Sequence, residues 1–269
     1  MSRVKKFSLA LSLTVFAALP ASAALDWSAA LSGDHRDAKN AVRDEFRHPR
    51  ETLEFFGLKE GMTVVELAPG GGWYTEVLAP LLRGNGEYYA AHYGRNNGAY
   101  GRRSLGGYLK KLGENDDVYG EVTVTTLAPP ASVAIAPAGS ADLVLAFRNV
   151  HSWMRAGTLA DTFVAAFEAL KPGGVFGIVQ HRARDGRDEE AMKATGYVSE
   201  DYVIAAARSV GFELDARSEV NGNPKDTADY ERGVWELPPS LRGDAKDRDA
   251  RAAVGESDRM TLRFVKPAS

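Results

Sequence analysis

Three of the chain's five histidines stand just past apolar runs that read as β-strands: His92 after 87–91, His151 after 141–147 and His181 after 175–179. An imidazole titrates near neutral pH and serves as a general acid or base, so His151 and His181 are the candidates to take a proton from a bound substrate. The plainer role for any one of them is a hydrogen-bonded residue on the rim of the sheet. Arg148 and Asn149 lie between the fourth run and His151. Asn149 is placed to hydrogen-bond a ligand, and Arg148 either pairs with an anionic group or forms a salt bridge to a carboxylate such as Glu66. There is no cysteine, which excludes cysteine nucleophiles, thiolate metal sites and thiol redox chemistry.

A second constellation is Glu66-Leu67-Ala68-Pro69-Gly70-Gly71-Gly72-Trp73-Tyr74. An apolar run carries a carboxylate near its end, small residues and glycines follow, and helical spacing covers 75–82. That reads as strand, tight turn and helix. Glycines at such a turn let the backbone approach a ligand, and the start of a helix offers unpaired N–H groups. Trp73 and Tyr74 are placed to pack against a ligand or a lid rather than to react.

These residues need a scaffold, and the rest of the chain supplies one. Strand-like runs cover 63–67, 87–91, 122–125, 141–147, 175–179, 211–214 and 261–265. Helical spacing covers 49–56, 75–82, 158–170 and 199–210, with Pro49 at a first helical position and Ser199 as a cap. Helix-sized connections through the fifth strand predict a mostly parallel sheet covered on both faces. The sixth and seventh strands have no evident helix between them and predict an antiparallel edge. Residues 93–107, rich in glycine and carrying Tyr93, Arg95, Tyr100, Arg102 and Arg103, read as a long lid-like loop or a mobile insertion. Residues 24–48 read as a surface arm with some helix, 182–190 as a solvated loop, and 221–258 as a polar insertion. In that insertion Tyr230 and Trp235 either wall a pocket or simply pack.

The 269 residues, 44% hydrophobic and 26% charged, suffice for one globular domain with an ample core, expected over 49–269. Arg3, Lys5 and Lys6 precede the apolar stretch 7–19 and Ala21-Ser22-Ala23. That is the pattern of a secretory signal peptide over 1–23, shorter in its apolar part than the ~20 residues of a membrane span. The expected location is periplasmic or secreted. Cleavage takes the net charge from −3 to −6, and no polybasic patch then remains to suggest nucleic acid or stable membrane attachment.

With these elements placed, the chain resembles the class I S-adenosylmethionine-dependent methyltransferases over nearly all of the mature length. Their first motif, acid-x-Gly-x-Gly-x-Gly, is matched by 66–72 with Ala68 at the first glycine, and Leu170-Lys171-Pro172-Gly173-Gly174 matches their signature before strand five. More narrowly, the stretch 69–76 resembles a group of exported methyltransferases. The resemblance implies an α/β, Rossmann-like seven-stranded sheet, mostly parallel with an antiparallel last strand and helices on both faces. It also implies S-adenosylmethionine across the carboxyl ends of strands one, two and four. It assigns Glu66, Ala68, Pro69, Gly70, Gly71, Gly72, Trp73, Tyr74, His92, Tyr93 and Arg148 to the cofactor, and His151, His181 and Asn149 to the acceptor chemistry.

Family members place an acid at the end of strand two to hold the ribose hydroxyls, and here that position is His92. A neutral ring offers one acceptor and one donor, so ribose binding is weaker, comes from another side chain such as Tyr93, or is absent. In the family's strand order 3-2-1-4-5, His92 and His181 stand three strands apart, about 14 Å at ~4.8 Å per step. One metal ion cannot bridge that distance, and no metal is expected. The expected activity is methyl transfer to a small-molecule acceptor. The alternative is a non-enzymatic ligand-binding protein on the same fold.

Overall fold

The computed structural model describes residues 24–184 and 186–268, so the signal-peptide pattern of 1–23 lies outside the described residues. In chain order the elements are α1 (Trp27–Ser32), α2 (Ala38–Ala41), α3 (Asp44–Arg47), α4 (Pro49–Phe55), β1 (Thr63–Leu67), α5 (Thr75–Leu82), β2 (Glu87–His92), α6 (Gly98–Glu114), α7 (Asp116–Tyr119) and β3 (Val122–Thr126). There follow β4 (Ala141–Phe147), α8 (Val150–Ala156), α9 (Leu159–Ala169), β5 (Leu170–His181), α10 (Glu189–Thr195), α11 (Glu200–Ser209), β6 (Glu213–Ser218), α12 (Arg248–Val254) and β7 (Arg259–Val265).

One sheet carries all seven strands in the order β3-β2-β1-β4-β5-β7-β6. Strands β1 to β5 pair in parallel, and β7 runs antiparallel to both its neighbours. The apolar run of β4 from Leu143 to Phe147 is explained by burial on both faces. Its Leu143, Leu145 and Phe147 join the core under α4 and α5, while Val144 and Ala146 join the core under α9 and α11. Pro49 opens α4 and Ser199 Oγ caps α11 by accepting from Tyr202 N at 3.3 Å, as their sequences require. Gly177 in β5 is a packing residue: a Cβ there would stand 2.7 Å from the Phe56 ring, so glycine lets the end of α4 lie against the sheet.

The expected antiparallel edge is formed by β7 and β6, with β6 outermost and α12 between them in sequence. Three expectations change. Residues 93–107 are largely not a loop, because the 17-residue α6 begins at Gly98. Each interior glycine costs a helix ~1 kcal/mol relative to alanine, and that masked α6 in the sequence. Tertiary contacts offset the cost: Tyr108 is fully buried, its OH lies 3.0 Å from Thr75 Oγ1, and Lys111 pairs with Glu76. The arm 24–48 forms α1 to α3 packed on the domain, with Ala30, Arg36 and Arg47 buried. Finally, the charged run 182–190 is wired to the late insertion. Arg182 pairs with Glu219 and Asp258 at 2.6 and 2.9 Å, and Arg184 and Arg187 donate to the carbonyls of Thr227 and Ala228.

Candidate functional site

The turn after β1 opens into a cleft of about 700 Å³ at the carboxyl edge of the sheet, where the connections from β1 and β4 part. Ala68 (φ 50°), Gly70 (φ 60°) and Gly72 (φ 78°) all have left-handed backbones. For Ala68 that conformation costs ~1 kcal/mol, and two neighbours hold it there. Its N–H donates to Ala91 O at 2.8 Å, and Asn149 Nδ2 donates to the carbonyls of Leu67 and Ala68 at 3.2 and 3.1 Å. His92 Nε2 donates to Gly70 O at 3.1 Å, and His92 Nδ1 accepts from Tyr93 N at 2.7 Å.

Asn149 and His92 are therefore clamps on the turn. Both nitrogens of His92 are spent, so it does not stand in for a ribose-binding acid. Burial lowers its pKa, which keeps the ring neutral. Neither His92 nor Tyr93 lines the cleft. A Cβ on Gly70 or Gly71 would meet nothing within 4 Å, whereas one on Gly72 would meet Tyr108 and Lys111 of α6 at 3.1 Å. The approach to the turn is thus open at Gly70 and Gly71 and covered by α6 at Gly72.

Glu66 is 3% exposed. Its Oε2 accepts from Tyr88 OH and from Thr75 Oγ1, while Oε1 has no protein hydrogen bond among the described residues. Burial pushes its pKa up to about 7 against the lowering effect of those two donors. The salt bridge from Arg148 to Glu66 does not form. Tyr74 stacks on Phe147 with centroids 3.4 Å apart, Trp73 meets Tyr74 edge-on, and Trp73 Nε1 donates to Asn40 O at 3.0 Å. Both rings line the cleft, packed on the end of β4 and on the arm.

His151 and His181 do meet, with ring centroids 5.7 Å apart, and both line the cleft. Gln180 Nε2 donates to Gly196 O at 2.9 Å and to His151 Nδ1 at 3.2 Å. The proton of the neutral His151 ring is then on Nε2, so His151 offers a donor rather than a basic lone pair. His181 Nδ1 bonds Ser257 Oγ at 2.5 Å, an arrangement open to either tautomer. Of the two rings, His181 is accordingly the one whose hydrogen bonds leave its tautomer open. Neither titrates near neutral pH, contrary to expectation. Burial, then the Arg155 charge, lowers His151 to about 4, and burial followed by His151 and three arginines holds His181 well below its ordinary value. Trp235 packs edge-on to His151 at 5.8 Å, whereas Tyr230 lies in a separate small core away from the cleft. Tyr100 lines the cleft; Arg95, Arg102 and Arg103 are exposed and do not. Asp142, at the far end of β4, only ties Thr63 N and Lys171. Among the described residues no group of three or more His, Cys, Asp or Glu side chains could hold a metal ion.

No family model matches the chain, and no curated protein matches its sequence. Solved structures match instead. An S-adenosylmethionine-dependent methyltransferase from Aquifex aeolicus is 19% identical at a TM-score of 0.55, over 90% of this chain and 98% of its own. A candidate sarcosine dimethylglycine methyltransferase from Galdieria sulphuraria is 12% identical at 0.56, over 85% and 86%. The fold is that of the Rossmann-like methyltransferases. The cyclase SpnF shares it, 15% identical at 0.56 over 93% of this chain and 88% of its own, so the methyltransferase fold alone does not name a reaction.

Sequence reasoning missed one carboxylate behind the cleft and one that lines it. Glu76, fully buried on α5, receives Arg36 at 3.2 Å and Asn40 at 2.8 Å from the arm, and Lys111 from α6. Glu256 in the insertion receives Arg43 at 2.6 Å, Arg47 at 3.1 Å and Arg259 at 3.1 Å. The one available signal was a carboxylate inside an otherwise apolar helix, at Glu76. A buried acid there needs partners.

Proposed function

We propose that the chain is an S-adenosylmethionine-dependent methyltransferase acting on a small molecule. The observation that carries this reading is the open floor of the cleft at Gly70 and Gly71, with the unpartnered Oε1 of Glu66 beneath it, at the switch point of a methyltransferase fold. The residues of the turn fit the amino-acid end of the cofactor: Glu66 receives a cationic amino group, and Gly70 and Gly71 allow backbone approach. Ribose contacts come from α6, whose Tyr100, Lys110 and Glu114 reach the cleft, and not from His92. The bound cofactor supplies an electrophilic methyl group, and the protein's part is to align the acceptor for in-line attack and take up its proton. In this reading His181 takes the proton, His151 donates a hydrogen bond, Asn149 and His92 fix the turn, and Arg148 belongs to the acceptor side. We also propose a periplasmic or secreted location, on the sequence of 1–23 alone.

The commitment of both His92 nitrogens to the turn favours a second reading, a binding protein for another ligand. Calorimetry with S-adenosylhomocysteine separates the two. Binding below about 1 mM, the weak end of usual substrate affinities, is expected. Gly70→Val should abolish it while leaving a cooperative melt, and an unchanged affinity would place the site elsewhere.

A further inference from the structure

Four guanidinium groups gather around one carboxylate on the side of the cleft over β4, β5 and β7. Glu256 is buried, and burial alone would raise its pKa. Arg47, Arg259, Arg148 and Arg43 outweigh that and hold it down at about 2. A single carboxylate cannot satisfy four such forks, each with five N–H donors. Arg259 is satisfied elsewhere: its Nη2 donates to Phe46 O at 2.7 Å and its Nε to Ser257 O at 3.2 Å. The other three are not. Arg47 is 2% exposed, spends Nε on Glu256, and leaves a buried Nη2 without a partner. Arg43 likewise leaves a buried Nη2 unpartnered. The side chain of Arg148 makes no hydrogen bond or ion pair among the described residues, and its backbone is held in the left-handed region at φ 62°. All three line the cleft.

Buried donors without acceptors and like charges held together both cost stability. The fold nevertheless brings them together from α2–α3, the end of β4 and the start of β7. The cluster borders the residues that follow the glycine turn, with Arg47 over the Trp73 ring at 4.6 Å, but among the described residues none of the three arginines pairs with Glu66. His151 and His181 line the same cleft, and the Arg148 charge acts on both rings.

We propose that Arg43, Arg47 and Arg148 form a subsite for an oxyanion, a carboxylate or a phosphate or sulfate group, carried by the methyl acceptor. This rests on the methyltransferase reading only in naming the anion's carrier. The free guanidinium edges receive the oxygens, and the acceptor's reactive atom is held beside His181. An acidic small molecule is then the substrate class.

The experiment titrates inorganic sulfate and, separately, malonate into the purified protein at constant ionic strength balanced with chloride, read by calorimetry and thermal melting. Saturable binding above the chloride baseline is expected, and the tighter of the two ions distinguishes a tetrahedral from a carboxylate group on the acceptor. Arg148→Asn keeps a residue tolerant of the left-handed backbone and should weaken that binding roughly tenfold or more, the loss of a charged hydrogen bond. In chloride alone it should melt no lower than wild type, since it removes a half-buried cation that has no ion pair among the described residues. Arg43→Gln, on a partly exposed side chain, provides a second variant with the same expected loss. Responses indistinguishable from chloride, or variants that bind the ions as wild type does, overturn the proposal. So does a parallel loss of S-adenosylhomocysteine affinity in Arg148→Asn, which would give the arginines to the cofactor's own carboxylate. Ion binding that persists without any S-adenosylhomocysteine binding keeps the subsite and sinks the methyltransferase reading instead, and the reverse pattern does the opposite.

Discussion

Replacing Glu66 with Gln tests the electrostatics of the turn without disturbing its packing. The wild-type carboxyl has a pKa near 7 in the fold, against a reference of 4.5. Because the folded value is raised, the native state binds the proton more tightly than the unfolded chain. The stability this confers is fully present below pH 4.5 and is lost as pH rises through 7. At ~1.4 kcal/mol per pH unit the loss across that window is roughly 3 kcal/mol. The group is essentially buried, so no discount for solvent is applied. Gln has the same shape, and its carbonyl oxygen accepts from Tyr88 OH and Thr75 Oγ1 as the carboxylate does, but it has no proton to lose. The stability of Glu66→Gln relative to wild type should therefore rise between pH 4.5 and 7 and then level off. In a chain of this size the change corresponds to a relative melting shift on the order of 10 °C. Melts of both proteins across that range, compared as differences, cancel every other titrating group. Parallel profiles would refute the reasoning, and a variant that loses ground as pH rises would mean that Glu66 is stabilised as a charge.

Three further outcomes follow from the same geometry. A cationic amino group docked against Glu66 lowers its pKa, so S-adenosylhomocysteine binding near pH 7 should release protons; a binding enthalpy independent of the buffer's ionisation enthalpy would contradict this. Glu76→Gln removes the negative charge that Arg36 and Lys111 share, leaves one acceptor oxygen where there were two, and should cost ~3 kcal/mol, the scale of a broken buried pair, with faster hydrogen exchange along α6. Unchanged protection of α6 would show that Lys111 does not hold it down. Gln180→Leu should cost about 1–3 kcal/mol and free His151 to populate both tautomers, which nitrogen chemical shifts report directly; a ring still protonated only on Nε2 would show that Gln180 does not set it.

The strands were legible because their chemistry is local. The runs of β1 and β4 are apolar apart from Thr63, Glu66 and Asp142, and their boundaries coincide with those of the structure. Helices α5 and α11 announce themselves by spacing and, for α11, by the cap at Ser199. Helix α6 was illegible because its glycines argue against a helix, and what stabilises it is supplied by Thr75 and Glu76 from a distant part of the chain. The candidate site divides in the same way. Gly70, Gly71 and Glu66 were found because a short motif carries them. Asn149 and His92 were visible as candidates, but only the fold shows that Asn149 Nδ2 and both His92 nitrogens are committed to the turn.

The acceptor side was invisible for a stricter reason. Arg43 and Arg47 lie more than 200 residues from Glu256, at separations of 213 and 209, and no local pattern links an arm to an insertion. Lengthening a loop adds little to its closure cost, since each doubling adds only ~0.6 kcal/mol, so such distant segments are as available for building a site as near ones. Here they meet over the half of the sheet edge that the glycine turn leaves free. Glu66, with its pKa near neutral, suits a cation at the turn, and the unpaired arginines suit an anion beyond it. A cleft polarised in this way orients a substrate by charge before any hydrogen bond forms. Adding salt should therefore weaken an acidic acceptor more than it weakens S-adenosylhomocysteine, whose nucleoside carries no charge.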